Sequence, residues 1–133
     1  MLIEHGFVRV AAASPRLRVG DVSYNAEQLI EMAGQAESAG AAIVVFPELS
    51  LTGYTCGDLF LQPALQRAAM DGLLRLAKAC RRVVAIAGLP VSVNGRLYNC
   101  AAAVQDGTVL GIVPKTHLPN YKEYYEARWF GSG

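Results

Sequence analysis

Apolar positions along this chain fall into strand-length runs separated by stripes at helical spacing. Residues 7–13 read FVRVAAA and end at Ser14-Pro15, which predicts a first strand followed by a loop through Gly20-Asp21. From about Asn25 to Ala39 the apolar side chains Ala26, Leu29, Ile30, Ala33 and Ala36 recur every three or four positions. Gly40 then stands where a left-handed C-terminal cap is wanted. Residues 41–46, AAIVVF, carry no charge, as expected of a central strand buried on both faces. Strand, helix and strand in that order join most naturally as a right-handed crossover.

Pro47 stops the second strand, and the loop PELSLTGYTCGDLF follows. A second helix is predicted from Pro63, since proline suits a first turn. Leu65, Ala69, Leu73, Leu76 and Cys80 mark its apolar face, and Arg81-Arg82 favour its C-terminal dipole. Residues 83–88, VVAIAG, predict another buried strand. Asn94-Gly95 and Asp106-Gly107 are hairpin-turn dipeptides flanking a strand over 96–105, with a further strand over 108–113. The fold class expected is therefore α/β, a mixed sheet of crossover strands followed by a meander, with helices on one face. No repeat or linker interrupts it, so residues 1–133 are expected to form part of one domain.

Composition narrows the function classes. Hydrophobic residues make up 53% of the chain and charged residues 17%, which excludes a disordered polymer. With 12 basic and 11 acidic side chains, no basic excess exists to neutralise a phosphate backbone, so no nucleic-acid partner is expected. Cys56, Cys80 and Cys100 lack paired or metal-ligand spacing; neither a disulfide framework nor a metal site is expected, and a reducing cytoplasm is the simpler setting. The opening MLIEHGFVRV has no cationic segment before a long apolar run, and every apolar stretch is far shorter than a membrane span. No leader and no membrane partner are expected.

Two charged residues stand at predicted strand ends, where open α/β sheets place their ligand crevices. Glu48 follows residues 41–46 and is flanked by Val45, Phe46 and Leu49; a carboxylate desolvated by such neighbours is suited to accept a proton near neutral pH. The bland alternative is a solvated loop glutamate. Lys115 follows the strand over 108–113 and suits stabilisation of a developing oxyanion, or simply closes an edge strand at the surface. Residues 115–130, KTHLPNYKEYYEARWF, concentrate aromatic and charged side chains. Tyr121, Tyr124 and Tyr125 offer apolar faces with polar tips for a small-ligand pocket or a subunit interface, and Glu126 and Arg128 can brace a site by charge-assisted hydrogen bonds. A covalent amidase also needs an activated thiol. Cys80 and Cys100 fall on apolar element faces and read as small hydrophobes, whereas Cys56, in the loop after Glu48, is the one cysteine near a candidate base. His117 has no readable triad partner, and His5 lies near the N-terminus.

FPELSLTGY around Glu48, RLYNCAAAV in the hairpin and PKTHLPNYKEYYEARWF after it resemble the nitrilase, or carbon–nitrogen hydrolase, superfamily. Within it, HGFVRVAA, LTGYTCGDLF and LPNYKEYYEARWF are most similar to the glutaminase domain of the glutamine-dependent NAD synthetases. The resemblance implies the N-terminal portion of an αββα sandwich. It implies glutamine as substrate and ammonia delivered to an ATP- and Mg-using synthetase domain that amidates deamido-NAD. It further implies Glu48 as general base, Lys115 as oxyanion stabiliser, Glu126 as a supporting glutamate and Tyr121 in the substrate pocket. Such domains generally form homo-oligomers. The family nucleophile is a cysteine well beyond the lysine motif, and Cys56, Cys80 and Cys100 do not match it. These residues are therefore expected to stop short of the nucleophile and to be inactive alone, and no cofactor is expected within them. Another amidase of the superfamily, or a non-catalytic assembly fragment, remains open at this point.

Overall fold

In the computed structural model, residues 2–133 are described. Among them, strands β1 (Val10–Ala12), β2 (Ile43–Val45), β3 (Val84–Val93), β4 (Arg96–Gln105) and β5 (Thr108–Pro114) form one sheet in the order β1-β2-β3-β4-β5. Helices α1 (Val22–Ser38) and α2 (Pro63–Ala79) connect β1 to β2 and β2 to β3, and those three strands are parallel. β3, β4 and β5 then run as an antiparallel meander. The α/β class and the mixed sheet expected from the pattern are both present.

Each helix forms where its periodicity placed it, with different ends. α1 begins at Val22, three residues before the expected Asn25, because the Asp21 side chain accepts the Tyr24 N–H and caps the first turn. It ends at Ser38, with Ala39 as the C-cap and Gly40 at φ +78 as the sequence required. α2 starts at Pro63, and its C-terminal carbonyls of Ala77 and Cys80 accept N–H groups from Gly107 and Asp106 in the β4–β5 turn. Leu29, Ala33, Leu73, Leu76 and Ala77 bury against Val44, Ala85, Ala87, Leu89, Ala102 and Val104 from the sheet, forming one core on one face.

Strand limits follow from pairing. β1 is shorter than residues 7–13 because β2, its neighbour, offers only Ile43–Val45. β3 runs past Gly88 through Pro90 to Val93, since β4 pairs with it along its whole length. The Ile86 and Gly88 carbonyls point to the β2 side, so by the two-residue repeat Pro90 directs its missing donor there too, beyond the end of β2. The turns carry φ +51 and +76 at Asn94-Gly95 and +47 and +77 at Asp106-Gly107, the left-handed pair that suits a tight hairpin.

One expectation is overturned. β2 was expected to be buried on both faces, yet Val45 is 43% exposed and the same side of the sheet shows Val113 at 68%. Both helices pack on the opposite side, and these residues supply no second layer. The all-apolar run reflects a sheet whose two faces are both hydrophobic, with one covered here.

Candidate active site

Sheet topology decides where the charged residues meet. Two successive antiparallel pairings, β3 with β4 and β4 with β5, return β5 to the direction of β2 and β3. The carboxyl ends of β2 and β5 therefore open at one edge, beside the amino end of β4. Glu48 leaves that edge three residues after β2, and Lys115 one residue after β5. Lys115 donates its backbone N–H to the Asn99 carbonyl at 2.7 Å, extending the β4–β5 register by one.

The turn holding Glu48 is fixed by its backbone. Ser50 Oγ accepts the Gly88 N–H at 3.1 Å, and the Leu51 N–H donates to the Gly88 carbonyl at 3.1 Å. From α1, the Asn25 amide donates to the Leu51 carbonyl at 3.1 Å. Leu49 sits fully buried at φ +52, a left-handed conformation that leucine rarely adopts. A Cβ at Gly88 would lie 2.2 Å from the Leu49 nitrogen, so the absence of a side chain there lets the turn seat on β3.

A charged network closes over this turn. Lys115 Nζ donates to Glu48 Oε1 at 2.7 Å and to Glu126 Oε1 at 3.1 Å. Asn99 Nδ2 donates to the same Glu48 oxygen at 2.6 Å, and the Tyr54 hydroxyl donates to Glu126 Oε2 at 2.6 Å. Partial burial pulls the Lys115 pKa down, but hydrogen bonds to Glu48 and Glu126 outweigh it and hold the ammonium above its ordinary value. Lys115 is thus a fixed cation and hydrogen-bond donor. Burial, reinforced by the Glu126 carboxylate, raises the Tyr54 pKa, so this phenol stays a donor.

Glu126 has a side chain only 3% exposed and sits in a single 3-10 turn, Glu126–Arg128. That turn is anchored by Asp58, which accepts from Arg128 Nε at 2.9 Å, Arg128 Nη2 at 3.0 Å and Trp129 Nε1 at 2.9 Å. The Arg128 hydrogen bonds, then that of Trp129, hold the Asp58 carboxyl down at about 2. Phe130 stacks tilted on Phe60 with centroids 5.0 Å apart, and the Gly131 N–H closes on the Leu97 carbonyl at 2.8 Å. Arg128 therefore braces the segment that carries Glu126, and its own side chain points to Asp58.

An open trough of about 300 Å³ borders the cluster, lined by Val45, Phe46, Glu48, Gly88, Asn99 and Lys115 among others. Its floor is the uncovered sheet face. Glu48 does not have the desolvated surroundings expected for it: its side chain is 42% exposed and its environment is a pair of hydrogen-bond donors. Tyr121 is exposed, packs edge-on against Tyr124 at 5.8 Å and does not line the trough. His117 is exposed, and no partner for it occurs among the described residues. Cys56, Cys80 and Cys100 are all free and buried. Burial raises all three thiols, the latter two to about 11, and Cys56 donates to the Thr52 and Gly53 carbonyls. Each reads as packing. No group of three or more His, Cys, Asp or Glu residues able to hold a metal ion occurs among the described residues.

Asn99 and Tyr54 were not singled out from sequence. Tyr54 falls inside the LTGY stretch after Glu48, and Asn99 is a polar, strand-averse residue in the middle of an apolar strand. Both were visible signals.

The sequence profile of the carbon-nitrogen hydrolase family matches residues 8–133. This chain belongs to that family. A glutamine-dependent NAD(+) synthetase from Mycobacterium bovis is 42% identical over 132 residues, covering 98% of this chain and 19% of the relative. The chain thus spans about a fifth of the length of the curated relatives it matches. The crystal structure of a glutamine-dependent NAD(+) synthetase from Cytophaga hutchinsonii superposes with a TM-score of 0.90 at 32% identity, over 94% of this chain and 22% of that one. An amidase from Nesterenkonia sp. superposes with a TM-score of 0.79 at 24% identity, over 95% of this chain and 48% of that one, a likeness of fold. The carbon–nitrogen hydrolase fold implied by the sequence resemblance is therefore the fold of this chain.

Proposed function

We propose that these residues form the acid–amine part of a glutaminase site in a glutamine-dependent NAD synthetase, with the nucleophilic thiol supplied from outside them. The observation that carries this reading is the Lys115 ammonium held between Glu48 and Glu126 at the edge of an open trough. Family membership and the likeness to NAD synthetases support the substrate class.

In the reaction proposed, Glu48 accepts the thiol proton as sulfur bonds to the carboxamide carbon of glutamine. Lys115 donates to the oxyanion of the tetrahedral adduct. The carbon–nitrogen bond breaks, the leaving nitrogen takes the proton from Glu48, and ammonia departs. Water then adds to the thioester, giving its proton to Glu48, and glutamate leaves as the proton returns to sulfur. Glu126 steadies Lys115, and Tyr121, which stands outside the trough, has no part in these steps. ATP and Mg belong to the synthetase part of such a protein, where the ammonia would be used. The free thiols fit a cytoplasmic setting, and the apolar sheet face fits burial within a homo-oligomeric, multi-domain enzyme. No helix among the described residues is long and apolar enough to cross a membrane.

In the full-length protein carrying these residues, Glu48→Gln and Lys115→Ala should each lower glutamine-dependent turnover on the order of a hundred- to a thousand-fold. Synthesis from free ammonia should continue in both. Wild-type glutamine turnover in either variant would overturn the role given to that residue. An amidase without synthetase activity would show no ammonia-dependent formation of NAD at all.

A further inference from the structure

Asn99 stands at a position where a strand gains nothing from asparagine. It lies within β4, is 3% exposed, and is followed by the small apolar run Cys100 to Val104. Buried amides persist where their hydrogen bonds are satisfied, and the bonds of Asn99 are informative. Its side-chain Nδ2 donates to Glu48 Oε1 at 2.6 Å, while its backbone carbonyl accepts the Lys115 N–H at 2.7 Å. One residue thus holds both the acid and the amine, which come from turns 67 positions apart.

The allocation of Glu48's oxygens is asymmetric. Oε1 receives both Asn99 Nδ2 and Lys115 Nζ, and among the described residues nothing donates to Oε2. Lys115 alone, on a flexible stem, can serve either oxygen. The short, buried Asn99 amide cannot, and its direction fixes which oxygen faces the amine.

We propose that Asn99 is a positioning residue: its amide locks the Glu48 carboxylate so that Oε1 faces Lys115 and Oε2 is presented to the incoming thiol. The proposal rests on the glutaminase reading above. Removing that donor leaves Glu48 Oε1 with Lys115 alone, and substituting an acid for Asn99 sets two carboxyls against each other.

The test uses the full-length protein with glutamine and, separately, with ammonia as nitrogen source. Asn99→Ala should lower glutamine-dependent kcat by about ten- to a hundred-fold, the scale of one charge-assisted hydrogen bond, with KM little changed. The acidic limb of its pH profile should move upward, and that of Asn99→Asp should move further in the same direction. Ammonia-dependent synthesis should be unchanged in both, reporting a folded enzyme. A merely structural role would lower the yield of folded protein and leave the limb in place. If Asn99→Asp does not fold, the Asn99→Ala profile decides. An unmoved acidic limb in a variant that still uses ammonia overturns the proposal. Glu48→Gln separates the two levels: glutamine turnover surviving that change would overturn the site reading itself, whereas its loss beside an unmoved Asn99 limb would overturn the Asn99 assignment alone.

Discussion

Gly88 shows how one missing side chain places a charged group. Its Cα faces the Glu48–Leu49 backbone so closely that a methyl group would overlap the Leu49 nitrogen. Leu49 is already held in a left-handed conformation by its surroundings, so the turn has little freedom to retreat. Gly88→Ala should therefore destabilise the protein by about 1–3 kcal/mol, the usual scale of overpacking, and move Glu48 away from Lys115. Denaturant unfolding measures the first effect; for the second, the function proposed above predicts loss of glutamine turnover in the full-length protein with ammonia-dependent synthesis retained. Tyr54 acts at the same scale from the other side, its hydroxyl holding the Glu126 oxygen that is farther from Lys115.

At the scale of elements, junctions matter more than lengths. Glu37, in the last turn of α1, accepts backbone N–H groups from Arg82 at 3.0 Å and Val83 at 3.2 Å, tying the helix to the start of β3. Those two bonds, with a smaller contribution from the Arg82 side chain, hold the Glu37 pKa below its ordinary 4.5. A depressed carboxylate contributes stability that is complete above its unfolded pKa and is lost as pH falls through the folded one. Glu37→Gln should thus cost about 1 kcal/mol near neutral pH, and the gap to wild type should close as pH falls below 4.5 and through the lowered folded pKa. Thermal unfolding across that range checks it.

Much of this level was legible from residue types. β4 appears over Arg96–Gln105 as expected because a turn dipeptide pins each end, and α2 starts at Pro63 because proline fits nowhere later in a helix. Less was legible where the partner set the limit. β1 was overestimated because its length is that of β2, and β3 was underestimated because Pro90 is harmless only at an edge that the sequence does not show. Glu48, Lys115 and Glu126 were found as separate candidates, and the structure brings them together. Asn99 was missed although a polar residue inside an apolar strand is a signal, because the partner that gives it meaning lies 51 positions away. Arg128 forms the charge-assisted bonds expected of it, but with Asp58, a partner on a different turn that the sequence does not show.

For the whole molecule, the two faces of the sheet have unequal roles. Leu73 is fully buried between α2 and the sheet, and Leu73→Ala should cost about 2–5 kcal/mol. Val45, on the uncovered side, should tolerate Val45→Thr within about 0.5 kcal/mol in the 133-residue chain. Urea unfolding of the two variants would reveal the contrast, and equal losses would contradict the one-sided core. The same division explains why candidate chemistry gathers at one edge. Helices occupy one face, so the loops leaving β2 and β5 reach each other only past the strand tips.

The coil between Lys115 and Glu126 is largely exposed and belongs to no strand or α-helix. A protease nick there, at Lys122 for example, would sever the covalent path between two members of the cluster while sparing all five strands and both helices. Circular dichroism would then register an almost unaltered protein, in which only the grip of Asp58, Phe60 and Leu97 on residues 128–131 would keep Glu126 against Lys115.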